Sequence, residues 1–357
     1  MRLLITGGAG FIGGNVGTGL AQRHPDWEIV AFDNLARDGS ELNLPRLQAA
    51  GVTFVRGDVR EPAEIAAAGP FDAMVECSAE CSVLASMEDA SYSVGTNLVG
   101  AFNCIERCRE QDANLVFLST SRVYPVAPQL ELRLEETETR FELAAEQEVE
   151  GASPAGISER FPMSGPRTLY GATKLGAELL IEEFVDALGL RAVVNRCGVV
   201  AGPWQMGKVD QGVFSWWLLS HLFERSLSYI GYGGSGKQVR DLLHVDDLVD
   251  LIELQLSDPD GWSGVVANVG GGREGSLSLL ETTAICRELT GNEVPVEPVA
   301  ESRSGDVPIY LSDCARLHSL TSWRRRRGPR EALADTLEWS CAHEAELKSA
   351  LGFDERN

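Results

Sequence analysis

The chain has 357 residues, 44% of them hydrophobic and 24% charged, and its 31 Lys+Arg against 53 Asp+Glu leave a formal net charge of −22. This balance excludes a disordered chain, a collagen and a small disulfide scaffold, and the length suits one large α/β unit or two joined domains with a sizeable core. The sign of the charge excludes nucleic-acid binding through a general field, so any anionic ligand must be held by a few placed groups.

Residues 2–6 (Arg-Leu-Leu-Ile-Thr) read as a short buried strand, followed by Gly-rich 7–14 and an amphipathic stretch to about Arg23. Residues 27–32 form a second strand ending in Asp33-Asn34, and 53–56 a third running into Gly57-Asp58-Val59-Arg60. A fourth strand spans 71–76, a helix 97–110 and a fifth strand 115–119. A long helix over 169–188 and a sixth strand over 191–196 complete the run. Strands alternating with helices predict an α/β fold, a Rossmann doubly wound parallel sheet, and the part after about Gly202 predicts a smaller α+β C-terminal domain.

Two stretches break this rhythm. Residues 125–168 form a Glu-rich insertion too long for a simple connection, expected to act as a lid. The four arginines at 324–327 are expected to form a solvated loop before the last helix. No stretch reaches the roughly 18–20 apolar residues needed to span a bilayer, and the N-terminus has no signal-peptide pattern, so a cytoplasmic protein that avoids membranes is expected. The cysteines at 77, 81, 104, 108, 197, 286, 314 and 341 form no CxxC and no zinc-type Cys–His spacing, so they are expected as free thiols with no metal site.

The chemistry lies in two constellations. Gly7-Gly8-Ala9-Gly10-Phe11-Ile12-Gly13 is a GxxGxxG between a strand and a helix, where glycines permit a tight turn and close approach of a pyrophosphate to the helix N-terminus. Asp33, 20 residues after Gly13, ends the second strand, where a carboxylate bonds ribose hydroxyls and repels a 2′-phosphate. The cofactor expected is therefore NAD, with Asp58 and Val59 at its adenine edge. Second, Tyr170 and Lys174 stand one helical turn apart, about 50 residues after the strand-terminal Thr120. A nearby ammonium favours phenolate, so Tyr170 can exchange a proton with a sugar hydroxyl while Thr120 orients the same oxygen.

These motifs resemble those of the extended short-chain dehydrogenases/reductases, within the NAD-dependent nucleotide-sugar epimerase/dehydratase group. The resemblance runs through TGGAGFIG at 6–13, FDN at 32–34, GDVR at 57–60, TNLVGA at 96–101, LSTSRVY at 118–124, YGATK at 170–174, GKQVRDLLHVDDL at 236–248 and RSGD at 303–306. Glu136-Thr137-Glu138-Thr139-Arg140-Phe141, Asp210-Gln211-Gly212 and Gly236 to Asp241 are most similar to the CDP-paratose (CDP-tyvelose) 2-epimerase branch.

The resemblance implies an NAD-binding domain over 1–200 and a nucleotide-sugar domain over 201–357, part of 237–270 returning to the first. It implies catalytic Thr120, Tyr170 and Lys174. Cofactor contacts are implied from Gly7, Gly10, Phe11, Ile12, Gly13, Asp33, Asn34, Asp58, Val59, Ser78, Ala79, Asn97, Tyr170, Lys174 and Cys197. Sugar-nucleotide contacts are implied from Glu80, Ser82, Arg122, Gln211, Arg240 and Arg303, with Lys208 and His244 as lesser candidates.

The implied reaction is epimerisation of a nucleoside-diphosphate sugar through a transient ketone, at carbon 2 of a CDP-hexose, by a homodimer paired through the helices at 97–110 and 171–188. Val199 stands where family members often carry Asn, and Cys77-Ser78-Ala79-Glu80-Cys81 replaces a more usual His-Leu-Ala-Ala, which points to a different sugar preference. Dehydratases of the family place an acid where this chain has Arg122, so elimination lacks its acid. Other NAD-dependent sugar chemistry and a non-catalytic NAD-sensing module are the competing readings; sensors tend to lose the Tyr or Lys that this chain keeps.

Overall fold

The computed structural model describes residues 1–207 and 211–351. Lys208 and Asp210 lie outside the described residues. In chain order, the first elements are β1 (Arg2–Thr6), α1 (Phe11–Arg23), β2 (Glu28–Asp33), β3 (Thr53–Arg56), β4 (Ala73–Glu76), α2 (Ala101–Glu110) and β5 (Asn114–Thr120). Next are β6 (Leu134–Glu136), β7 (Phe141–Leu143), β8 (Ala152–Ser153), β9 (Gly156–Ile157), α3 (Leu169–Leu188), β10 (Ala192–Cys197) and β11 (Val199–Ala201). Then follow α4 (Val213–Leu222), β12 (Leu227–Ile230), β13 (Val239–His244), α5 (Val245–Ser257), β14 (Val265–Val269) and β15 (Ser276–Ser278). The last are α6 (Leu279–Thr290), β16 (Val296–Val299), β17 (Ile309–Tyr310) and α7 (Pro329–Ala342).

The chain divides into two compact units, the first comprising Met1–Val123, Leu169–Arg196 and Leu248–Val266. Its sheet has seven strands in the order β14-β10-β5-β4-β1-β2-β3. Pairing is parallel from β5 through β4, β1 and β2 to β3. The order reverses between β1 and β4, the topological switch point at which doubly wound sheets bind dinucleotides. The central strands are apolar runs such as Leu3-Leu4-Ile5 and Ile29 to Phe32, fully buried because helices cover both faces. Helix α2 buries Ala101, Cys104, Ile105 and Cys108, one face at helical spacing, which makes these thiols packing groups. Among the described residues the cysteines form no disulfide.

The second unit comprises Tyr124–Thr168, Cys197–Asp247 and Ala267–Asn357. Here β13 is the hub: it pairs β11 and β17 in parallel and β15 antiparallel. Helices α4, α6 and α7 cover a core around Phe214, Trp217, Leu242, Cys286 and Leu333. A capping box fixes the start of α6, Ser278 accepting from the Glu281 amide and Glu281 from the Ser278 amide.

The insertion at 125–168, expected with the first domain, groups with the second unit. It folds into two antiparallel hairpins, β6–β7 and β8–β9. The branch-marking residues tie the first hairpin down: the Thr139 hydroxyl donates to Glu281 at 2.8 Å, Arg140 pairs with Glu281 and Glu142, and the Phe141 amide donates to the Lys237 carbonyl at 2.9 Å. The arginine run also departs from expectation. Arg327 pairs with the fully buried Asp247 at 2.8 Å, and the Arg326 and Arg327 amides both donate to that carboxylate. An uncompensated buried charge is costly, so this loop is anchored and not merely solvated. Among the described residues no helix is long and apolar enough to cross a membrane.

Candidate active site

The glycine turn between β1 and α1 is shaped by its own backbone. Gly7 has φ +61°, and a Cβ there would lie 2.8 Å from the Cys77 carbonyl oxygen. A Cβ at Gly13 would lie 2.2 Å from the Gly7 oxygen, so a side chain cannot be placed without moving the main chain. Gly10 caps α1 with no side-chain hydrogen bond, and Phe11 and Ile12 open the helix. First-turn amides of a helix lack intrahelical partners and favour an anion. This cradle fits the pyrophosphate of a dinucleotide.

Asp33 ends β2 beside the cradle. Its Oδ2 accepts from the Ala9 amide at 3.1 Å and its Oδ1 from the Leu35 amide at 2.8 Å. Burial pushes its pKa up, and these backbone donors oppose the rise. Asn34 donates to Asp58 Oδ2 at 2.9 Å, and Arg60 grips both Asp58 oxygens, at 2.9 and 2.7 Å. The Arg60 hydrogen bonds hold the Asp58 carboxyl down at about 2. Arg60 also lies over the Tyr92 ring, 4.8 Å from its centre. Val59 is buried and its carbonyl accepts from Asn103.

Ser78, Ala79, Glu80 and Ser82 lie on the loop after β4. Asn97, in a π-helical turn over Gly95–Gly100, clamps this loop. Its Oδ1 accepts from the Glu80 amide at 2.8 Å, and its Nδ2 donates to the Glu80 carbonyl at 2.9 Å and to Thr173 on α3 at 3.2 Å. The Glu80 carboxylate in turn accepts from the Ser82 amide, and the Ser82 hydroxyl caps the following short helix.

Thr120 is the last residue of β5 and its Oγ1 accepts from the Arg122 amide at 3.2 Å. That bond uses a lone pair and leaves the hydroxyl proton to donate elsewhere. Tyr170 sits in the first turn of α3. The next residue, Gly171, lets the helix press on the 121–123 turn: a Cβ there would lie 2.0 Å from the Arg122 carbonyl oxygen. Further along α3, Glu178 accepts from Ser119, the neighbour of Thr120, and from Arg196 of β10 at 2.7 and 3.0 Å. These ties bring the Thr120, Arg122 and Tyr170 segments together. Lys174, one turn after Tyr170, is buried over the Phe117 ring at 4.0 Å, its Nζ 3.2 Å from Glu76 Oε2. Glu76 was missed at sequence level. The available signal was an acid closing the apolar strand Ala-Met-Val-Glu, but its partner lies 98 positions away.

In the second unit, Arg240 of β13 meets the RSGD segment directly. Its Nη2 donates to Asp306 Oδ1 at 2.6 Å and to the Val307 carbonyl at 2.7 Å, and the Asp306 amide donates to the Arg303 carbonyl. Arg303 itself is exposed and Gln211 half-buried. Cys197 is buried at the end of β10. Val199 pairs with Leu242 across β11 and β13. His244 is buried, its Nδ1 accepts from the Asp246 amide at 3.0 Å, and burial lowers its pKa.

A Rossmann sheet with a glycine cradle and a Thr–Tyr–Lys constellation on adjoining elements defines an extended short-chain dehydrogenase/reductase. Residues 3–270 match the model of the NAD dependent epimerase/dehydratase family, and the chain belongs to that family, whose cofactor is NAD. The chain is similar to a CDP-paratose 2-epimerase of Salmonella typhi, 27% identical over 95% of this chain and 99% of that one. It is also similar to a dTDP-glucose 4,6-dehydratase of Mycolicibacterium smegmatis, 27% identical over 97% of this chain and 95% of that one. Among solved structures, the UDP-glucose 4-epimerase of Thermus thermophilus in complex with NAD superposes with a TM-score of 0.75 at 27% identity, covering 95% of this chain and 98% of that one.

Proposed function

We propose that the protein is an NAD-dependent nucleotide-sugar epimerase that inverts carbon 2 of a CDP-hexose through a transient ketone. The observation that carries the reading is the Thr120–Tyr170–Lys174 set with Arg122 in the place of the dehydratase acid. Similarity to the CDP-paratose 2-epimerase supports carbon 2 and the CDP base.

In this reading the glycines 7, 10 and 13 and the α1 N-terminus hold the cofactor's pyrophosphate, Asp33 and Asn34 its adenosine ribose, and Asp58 and Val59 its adenine. Ser78, Ala79, Asn97 and Cys197 line the remainder, and Lys174 anchors the second ribose. Bound NAD supplies a hydride acceptor that is regenerated within each turnover. Tyr170 takes the proton of the sugar hydroxyl and later returns it, Thr120 donates a hydrogen bond to the same oxygen, and Lys174 favours the phenolate. Arg240 and Arg303 neutralise the diphosphate, since a guanidinium fork matches phosphate geometry. Glu80, Ser82, Arg122 and Gln211 recognise the sugar nucleotide. The protein works in the cytoplasm as a homodimer. Val99, Phe102 and Leu179, 46%, 40% and 55% exposed around α2 and α3, form the apolar surface to be covered.

The reading is tested with a panel of CDP-, UDP-, GDP- and dTDP-hexoses followed by proton NMR. Inversion at carbon 2 of a CDP-hexose is the expected result. Loss of water with formation of a 4-keto-6-deoxy sugar would make the protein a dehydratase instead, and that alternative has the dehydratase relatives in its favour.

A further inference from the structure

Glu76 and Lys174 form a buried ion pair one helical turn from Tyr170. Both side chains are almost wholly inaccessible, 1% and 2% exposed, and Nζ lies 3.2 Å from Oε2. The Phe117 ring closes the other side of the ammonium. Burial pushes the Glu76 carboxyl up, and the Lys174 ammonium first and then the Ser78 amide oppose the rise. Glu76 is the last residue of β4, in register with Thr6 of β1 and Phe117 of β5. Titratable groups face the pair from two other sides: Cys104 and Cys108 on α2, and Cys81 on the 77–82 loop. Burial raises all three thiols, so they stay uncharged and leave Glu76 to balance the lysine.

We propose that Glu76 is a positioning residue: its ionised carboxylate holds the Lys174 ammonium, so that Tyr170 faces half of a neutral pair and not a lone cation. A lone buried cation one helical turn away would hold Tyr170 strongly as phenolate. Such a phenolate accepts a proton readily but returns it poorly, and an acid–base group that must do both works best with a pKa near the working pH. Glu76 restrains the lysine's effect and keeps both directions open. The proposal rests on Tyr170 being the proton-transfer group, yet its test needs no sugar substrate.

The test is a spectrophotometric titration of tyrosinate on the NAD-loaded protein, with the Tyr170→Phe curve subtracted to isolate Tyr170. Glu76→Gln keeps the shape and removes the charge. Removing the negative charge that balances Lys174 predicts a Tyr170 midpoint lower by about one pH unit. Glu76→Asp keeps the charge but draws it back from Nζ, and should lower the midpoint by less. Should Glu76→Gln fail to fold, the Asp variant decides alone. A midpoint at or above that of the wild type in the folded variants would overturn the proposal. Failure of the epimerase reading would show separately, as absent sugar turnover by a wild type whose titration still responds to Glu76.

Discussion

Gly171 lies so close to the Arg122 carbonyl that a Cβ would come within 2.0 Å of its oxygen. The contact is between main chains, so no side-chain rotation relieves it. It joins the start of α3, which carries Tyr170, to the turn whose Arg122 amide binds Thr120. In Gly171→Ala the helix must withdraw. Misplacement of about 1 Å costs on the order of 10²-fold in rate, and overpacking about 1–3 kcal/mol in stability. The expected outcome is a folded, NAD-binding protein with kcat reduced about a hundredfold, checked by steady-state kinetics beside urea unfolding. Unchanged kcat would separate this contact from catalysis.

In the proposed reading Asp33 sets the choice of cofactor. Its two oxygens take the Ala9 and Leu35 amides, which fixes the carboxylate beside the glycine cradle. A ribose 2′-phosphate brought there would meet a like charge. The protein should bind NAD more tightly than NADP, and Asp33→Asn should narrow the gap by about tenfold or more. Calorimetric titration of cofactor-stripped protein measures both. Equal affinities in the wild type would remove Asp33 from this role.

Asp58 gives a stability signature in acid. Its pKa is held at about 2 by Arg60, below the ordinary carboxylate value of about 3.9. The folded value is depressed, so the stabilisation is fully present above pH of about 4 and is lost as pH falls toward 2. Arg60 is 39% exposed, and solvent screening reduces the gain to about 1 kcal/mol. The difference in unfolding free energy between wild type and Asp58→Asn should be constant from pH 7 to about 5 and should shrink below 4. A difference unchanged at pH 3 would show that the Arg60 pairing is not what distinguishes the two proteins.

Six of the seven strands of the sheet were legible as short runs punctuated by Gly and Asp, as at Thr53–Arg56 and Arg2–Thr6, while β14 (Val265–Val269) was not anticipated. The helix Leu169–Leu188 was legible to the residue at both ends. Boundaries blurred where backbone geometry departs from the regular period. The expected helix from 97 begins in a π turn, because Asn97 turns inward to hold Glu80. Long-range partners were hidden. Nothing local to Arg327 marks Asp247 as its counter-ion, and nothing local to Thr139 and Arg140 shows that they fasten a hairpin to Glu281. Both pairs meet only through tertiary packing, to which hydropathy periodicity is blind.

In the proposed mechanism Tyr170 is the decisive residue. Its place in the first turn of α3, one turn before Lys174, and the tie of Thr120 to the Arg122 amide concern the same small region. Tyr170→Phe removes the proton acceptor and keeps the ring, so folding and NAD binding should survive. Removal of a general acid–base group costs about 10²–10⁴ in rate, and turnover should fall within that range. The route is read by isotope. If the hydrogen leaves the sugar carbon as hydride and returns to it, substrate deuterated at the inverted carbon keeps its label in ordinary water, and unlabelled substrate gains none in D₂O. A deprotonation route would exchange that position with solvent. Deuterium found by NMR at the inverted carbon after reaction in D₂O would therefore exclude hydride return and leave Tyr170 with a different role.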